Sequence, residues 1–210
     1  MRRTAVAVVL AVLFAPGASA LAAEQSRSLP AFIAINAKGA FQMTVDVGKA
    51  QTLTVSGDPR FLAALKTEVV DKELQITLPD KRYQSSQGEP RVSISLPSLS
   101  RVKVEGAGET LLNGVASDRL DISYLGAGHL AANGKVKYLR LNAKGVGEVD
   151  TKSLHADRVD VNFEGVGEVS VYASELLNAI AKGIGGLTYY GHPKTVNKSV
   201  AGIGSVSAGD

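Results

Sequence analysis

The chain has 210 residues, a formal net charge of +3 and no cysteine. Without cysteine there is neither a disulfide framework nor a thiol for a lipid anchor, so the fold depends on its apolar core alone. Without residues 1–23 the chain has 21 basic and 20 acidic residues. This near-neutral balance argues against nucleic acid or an anionic membrane surface as a partner.

Residues 1–23 are predicted to be a secretory signal peptide. Two arginines precede an apolar run over residues 5–15, and small residues follow, which is the order of a basic region, an apolar region and a cleavage site. The apolar run is too short to cross a bilayer as a helix. We expect cleavage after Ala20 or Ala23, export to the periplasm or the extracellular space, and no membrane insertion after cleavage. The paired arginines leave the twin-arginine route open beside the general secretory route.

Residues 30–98 form a predicted β-rich region with one helix. Apolar and polar residues alternate in four segments, which indicates half-buried strands. These segments are 41–47, 53–55, 74–78 and 92–96. Asp58 followed by Pro59 is a favourable helix start. The side chains expected along one face of that helix are Phe61, Leu62, Leu65 and Val69. The polar residues 80–90 lack periodicity and predict an exposed loop.

The second half of the chain contains six Gly-x-Gly triplets whose first glycines are 18 to 20 residues apart. The triplets begin at Gly106, Gly126, Gly145, Gly165, Gly183 and Gly202. A period near 20 without a helical pattern is typical of a β-solenoid. We therefore predict an all-β fold with a minor helix, in which residues 99–210 form a right-handed parallel β-helix of about six short coils. Residues 24–210 are expected to be a single domain.

Aligning the coils on their first glycines predicts which side chains face inward. Apolar residues occupy the positions six, four and two residues before that glycine and four residues after it in nearly every coil. Lys198 interrupts the inward pattern in the last coil, which predicts either fraying or a cap. Five residues before the glycine, Arg101, Asp121, Arg140 and Asp160 alternate in charge, so we expect attraction along the stack. An asparagine pair able to hydrogen-bond follows in the same column.

The chain resembles a known family. The features that carry the resemblance are residues 32–47, the Val-Ser-Gly-Asp run at 55–58 and the later triplets, which often lead into Glu or Ser. They resemble the GIN-domain family, labelled putative auto-transporter adhesin head, over roughly residues 30–210. The resemblance implies a β-helical protein of the bacterial envelope, and no activity is established for the family as a whole.

Three residues after the first glycine, the coils carry Glu109, His129, Glu148 and Glu168. Carboxylates and an imidazole stacked one strand spacing apart could bind a divalent cation. The alternative is a solvated edge. Glu148 and Glu168 would also be separated by about 5 Å, as in retaining glycosidases, but a flat open face offers no acid with a raised pKa. No other cofactor is expected.

A second candidate site consists of Tyr172, Tyr190 and His192. The two tyrosines lie seven residues after the first glycines of adjacent coils, so we expect them to stack with His192 close by. Exposed aromatic rings can bind sugars, and they can also form a favourable cross-strand pair without a ligand.

No catalytic residue is assigned. The chain has no Gly-x-Ser-x-Gly motif, no cysteine and no complete Gly-x-Gly-x-x-Gly between a strand and a helix. We therefore predict an exported, non-catalytic envelope protein that presents a rigid β-helix surface for binding or adhesion to a glycan or an envelope or surface protein. The alternatives are a carbohydrate-active enzyme on the same scaffold and a structural protein that self-associates through its C-terminal coil.

Overall fold

The computed structural model describes residues 23–79 and 90–210. The elements are β1 (Ala23–Ser26), β2 (Ala34–Ala40), β3 (Gln42–Val47), β4 (Thr52–Gly57), α1 (Pro59–Ala64), β5 (Lys66–Val70), β6 (Glu73–Thr77), β7 (Arg91–Leu96), β8 (Arg101–Tyr190) and β9 (Thr195–Ala208). The predicted all-β class with one small helix is confirmed. The predicted signal peptide up to residue 22 and the predicted loop over 80–89 lie outside the described residues.

The helix α1 begins where the sequence predicts and ends earlier. The Asp58 carboxylate accepts the backbone N–H of Phe61 at 2.8 Å, which caps the first turn. Leu65 takes an extended conformation, with φ −70° and ψ 114°. The predicted continuation to Val69 is therefore wrong, because this residue belongs to β5, which pairs antiparallel with β6. In the described ranges no helix is long and apolar enough to cross a membrane.

The N-terminal strands extend the same sheet as the Gly-x-Gly region. Strand β2 pairs in parallel with the start of β8, with Ala34 opposite Arg101, and on its other side with β6. Strand β3 pairs in parallel with β8 and with β7. The sheet order is β1-β4-β7-β3-β8-β2-β6-β5, with β9 on β8. One continuous apolar core therefore underlies both regions.

Successive triplets lie directly on one another. A Cβ added to Gly126 would lie 1.8 Å from the Gly106 carbonyl oxygen, and one added to Gly145 would lie 2.0 Å from that of Gly126. Strand β9 pairs in parallel with β8 at an offset of 19 residues. We call the stretch of chain that carries one triplet a triplet segment. The backbones approach so closely at the triplets that only glycine fits.

The predicted inward positions before the glycine are buried in the four middle triplet segments, and the position four residues after it is buried in all six. They are Leu120, Ile122, Tyr124, Leu139, Leu141, Ala143, Val159, Val161, Phe163, Leu177, Ala179 and Ala181 before the glycines, and Thr110, Leu130, Val149, Val169, Leu187 and Val206 after them. In the last segment Val200 is 44% exposed. The ammonium group of Lys198 donates to the Val206 carbonyl at 3.2 Å, and the residue is exposed.

Candidate ligand-binding face

One outward face of β8 carries many of the polar side chains that precede the triplets. Residues one, three, five and seven positions before each first glycine alternate with the buried ones, so they project to the opposite side of the sheet. We call the following set the polar face: Arg119, Asp121, Tyr138, Arg140, Asn142, Arg158, Asp160, Asn162, Asn178 and Lys182. Part of this face borders a shallow groove of about 440 Å³.

A tyrosine lies between two arginines at one side of the groove. The guanidinium carbons of Arg119 and Arg158 are each 5.1 Å from the centroid of the Tyr138 ring. Both contacts are within the range of cation–π attraction. The three residues come from successive triplet segments, and each lies seven residues before its glycine. The three side chains therefore pack on one another along the side of the groove.

Asp160 is the most extensively bonded carboxylate of the polar face. It accepts hydrogen bonds from the Tyr138 hydroxyl at 2.5 Å, from Asn178 at 2.6 Å and from Arg158 at 2.9 Å. Burial raises the pKa of Asp160, but these three donors together outweigh burial and lower it below the ordinary value. Asp160 is therefore ionised at neutral pH, and its charge is compensated by its neighbours.

The predicted attraction along the column of alternating charges does not form around Arg140. Asp121 pairs with Arg119 at 3.0 Å and Asp160 with Arg158 at 2.9 Å, in both cases with the arginine two residues earlier. Residues i and i+2 lie on the same face of a strand, which places these partners within reach. The side chain of Arg140, between the two carboxylates in the column, forms no hydrogen bond or ion pair with any described residue.

The asparagine pair of the same column forms as predicted. The side-chain amide of Asn197 donates to the Asn178 side-chain oxygen at 2.9 Å. Asn178 in turn donates to Asp160, so a hydrogen-bonded row crosses three triplet segments. This row fixes one border of the groove.

Other polar side chains of the face have no hydrogen-bond or ion-pair partner among the described residues. The side chains of Asn142 and Asn162 are half-buried, and neither forms a hydrogen bond within the described ranges. Lys182 is exposed and forms no ion pair there. It acts only at longer range on Glu164, whose pKa is lowered mainly by its hydrogen bond with Lys144 and less by Lys182. The groove thus contains amides and cations that are free to bind a ligand.

The structure brings two of the four predicted metal ligands together. The Nδ1 atom of His129 lies 3.5 Å from a carboxylate oxygen of Glu148. Glu109 and Glu168 are exposed. Over 23–79 and 90–210, no group of three or more His, Asp or Glu side chains is close enough to hold a metal ion. Binding of a divalent cation stays a prediction.

The ring of Tyr172 stacks on that of a histidine, a contact that aligning the coils on their glycines did not predict. The rings of His155 and Tyr172 are parallel to within 14°, with centroids 4.2 Å apart. The backbone of Gly191 also lies against the Tyr172 ring. Tyr190 is half-buried, and His192 is exposed with a φ of +50°. The role of Tyr172, Tyr190 and His192 in ligand binding stays a prediction.

Sequence reasoning also missed the arginine–tyrosine stack. Arg119, Tyr138 and Arg158 share the position seven residues before the glycine, and this shared column was the available signal. His155 had no such signal, since it lies ten residues after Gly145 whereas Tyr172 lies seven after its own glycine.

A known family matches most of the chain. Residues 31–193 match the family described as "Putative auto-transporter adhesin, head GIN domain". No curated protein matches the chain.

Solved structures share the fold. A putative adhesin from Bacteroides fragilis superposes with a TM-score of 0.71 at 23% identity, covering 90% of this chain and 98% of that one. A putative adhesin from Parabacteroides merdae gives 0.51 at 14% identity, with 91% and 98% covered. A putative lipid binding protein from Parabacteroides distasonis gives 0.50 at 20% identity, also with 91% and 98% covered. At these identities the similarity concerns the fold alone.

Proposed function

Because the chain belongs to the family described as "Putative auto-transporter adhesin, head GIN domain", we propose that it is an exported, non-catalytic envelope protein that binds a glycan through its polar face. The family description and the adhesin-like names of its structural neighbours support a binding role. A protein ligand on the envelope or on a cell surface is the alternative occupant of the same face.

The proposed scaffold is a right-handed parallel β-helix. The parallel pairing of β2 with β8 and of β8 with β9 supports stacked coils. The contacts between glycines of successive segments support the same arrangement. The handedness follows from the usual rule for parallel crossover connections. Such a scaffold keeps outward side chains at fixed spacings, which lowers the entropy cost of binding a ligand.

One observation carries the proposal. The exposed side chain of Arg140 lines the groove and forms no hydrogen bond or ion pair with any described residue, whereas the side chains of Arg119 and Arg158 are both paired. An arginine has five N–H donors in a rigid fork that suits oxygen ligands. The free Asn142 and Asn162 side chains extend these donors along the groove. A ligand rich in oxygen atoms is the natural partner of this arrangement.

The carboxyl groups favour binding over catalysis. Within the described ranges, every carboxyl group with a displaced pKa has it lowered by hydrogen bonds or nearby cations. These groups are Asp46, Glu73, Glu105, Asp160 and Glu164. A glycosidase needs one carboxyl group whose pKa is raised so that it can donate a proton at neutral pH. The carbohydrate-active alternative therefore receives no support from the polar face.

The proposed location follows from the N-terminal sequence. The predicted signal peptide over 1–23 directs the chain out of the cytoplasm. Either the periplasm or the extracellular space would bring the polar face into contact with envelope glycans.

The test is binding of the purified residues 24–210 to an array of bacterial and host glycans. Three forms are compared: the unchanged protein, the double variant Asn142→Ala with Asn162→Ala, and Tyr190→Ala. Circular dichroism confirms that each variant is folded. We expect saturable binding that the double variant weakens by about tenfold, because each lost amide contact contributes about 0.5–1.5 kcal/mol.

Two outcomes would redirect the assignment. Binding that is weakened only by Tyr190→Ala would place the site at the predicted tyrosines and away from the polar face. No binding to any glycan by folded protein would contradict the glycan proposal and would favour a protein partner or a structural role.

A further inference from the structure

We propose that the groove of the polar face binds an anionic polysaccharide, carboxylated or sulfated, with one negative group at Arg140 and another at Lys182. The inference rests on the proposed function, since it names the class of glycan for the same face. It concerns the charges that the polar face leaves unpaired.

Arg140 and Lys182 differ from the other cations of the polar face. Arg119 and Arg158 are paired with aspartates two residues later. Arg140 and Lys182 are exposed and have no ion pair with any residue that the structure describes. A guanidinium binds two oxygens of a carboxylate or sulfate at once, whereas an ammonium acts as a point charge. The groove therefore presents two positive side chains without an ion-pair partner among the described residues.

The separation of these charges indicates a polymer. Lys182 lies two triplet segments beyond Arg140 and is offset by four residues along the strand direction. With about 4.8 Å between strands and 3.3 Å per residue, the two Cα atoms are roughly 16 Å apart. A single carboxylate cannot contact both side chains. Two negative groups on different sugars of one chain can.

The groups between the two cations suit sugar hydroxyls. Asn142 is two residues from Arg140 on the same strand, and Asn162 occupies the equivalent position of the next segment. The four side chains form a diagonal track across the groove. An amide both donates and accepts hydrogen bonds, as a hydroxyl does, so the two asparagines can pair with hydroxyls between the charged groups.

An acidic peptide fits this track less well. Peptides commonly bind by adding a strand to a free sheet edge or by inserting side chains into apolar pockets. In this region the neighbouring segments lie directly against each other, as the contacts of Gly165 with Gly145 and of Gly183 with Gly165 show. No free edge is therefore offered at the groove, and most of the residues that line it are polar, with the exposed Ile180 among them.

The negative charge in the groove does not oppose an anionic ligand strongly. Asp160 is compensated by Arg158 and is hydrogen-bonded to Tyr138 and Asn178. Glu164 is paired with Lys144 at 2.9 Å. The remaining unpaired charge along the track is positive.

The experiment measures the affinity of residues 24–210 for five polymers at low and physiological salt. These are a polyuronate, its methyl ester, dextran sulfate, neutral dextran and single-stranded DNA. The variants are Arg140→Gln and Lys182→Gln. The matched control is Arg60→Gln, which removes an exposed arginine of α1 outside the polar face. We expect each groove variant to weaken binding of the anionic glycan by about threefold to tenfold, the control to leave it unchanged, and salt to weaken it further.

Preference for polyuronate over dextran sulfate, or the reverse, identifies the carboxylate or the sulfate as the negative group. Equal binding of neutral dextran or of the methyl ester would overturn this inference while leaving a glycan-binding role intact. Equal loss with Arg60→Gln, or equally tight binding of DNA, would also overturn it, because the charges would then act without a defined site. Absence of binding to every polysaccharide would contradict the proposed function itself.

Discussion

At the scale of single residues, the ion pairs of the polar face form between charged side chains that are close enough to touch. Belonging to the same column does not ensure such contact. Arg140 lies between Asp121 and Asp160 in its column, yet each aspartate is bonded to an arginine on its own strand. Asp160 gains further hydrogen bonds from Tyr138 and Asn178. The aspartates are thereby satisfied, and Arg140 is left free for a ligand.

The lowered pKa of Asp160 predicts a pH dependence of stability. A carboxyl group with a lower pKa in the folded state stabilises the protein above its ordinary pKa, here 3.8, and this contribution is lost as pH falls through the folded value. We expect Asp160→Asn to destabilise the protein at pH 7 and to cost progressively less as the pH falls below about 4. Urea unfolding at pH 7, 5 and 3 measures the difference.

Asp71→Asn is the matched control for this titration. Asp71 is exposed, has a φ of +50° that asparagine tolerates, and forms no ion pair among the described residues. Its substitution should change stability little at any pH. A cost of Asp160→Asn that stayed constant from pH 7 to pH 3 would show that its ionisation does not stabilise the fold.

At the scale of the elements, the triplet glycines set how closely the segments of β8 approach. Gly145 has a φ of +129°, and a Cβ on it would lie 2.0 Å from the carbonyl oxygen of Gly126. A neighbouring backbone cannot move aside as a flexible side chain can. Each triplet therefore requires glycine for both its conformation and its space.

Gly145→Ala should destabilise the protein by at least about 2 kcal/mol, because it combines backbone strain with a steric clash. Gly186→Ala is the matched control: no atom lies within 4 Å of the added Cβ, so we expect a change within about 0.5 kcal/mol. Chemical denaturation of both variants gives the comparison. Similar midpoints for the two would mean that the segments can separate at the triplets without loss of stability.

At the scale of the whole molecule, strand β9 offers a surface for self-association. It pairs with β8 and with no other strand of the described chain. Val200 and Ile203 are 44% and 77% exposed. Lys198 opposes association, because a charged side chain on an exposed strand disfavours pairing with another chain.

We therefore expect weak self-association at high micromolar concentration, strengthened by Lys198→Leu and weakened by Ile203→Glu. Val146→Glu is the control, because Val146 is 58% exposed but lies far from β9 in the sequence. Sedimentation velocity over a concentration series measures the effect. A monomer at every concentration, unchanged by Lys198→Leu, would exclude assembly through β9 and with it the structural alternative for the function.

The sequence by itself determined the features that depend on local order or on the repeat. Alternation placed the buried columns, Asp58 and Pro59 placed the start of α1, and the triplets marked where backbones meet. Each of these follows from the direction of a side chain relative to its own backbone. The triplets, together with residues 32–47 and the Val-Ser-Gly-Asp run at 55–58, also indicated the family.

The tertiary structure decided which side chains find partners. It ended α1 at Ala64 because the next residues pair with β6, joined β2 and β3 to the first triplet segment, and placed His155 on Tyr172. It also left Arg140 unpaired. A sequence period gives the offset between segments, but the partner of a long side chain depends on the distances and competing donors around it, which exist only once the segments are packed.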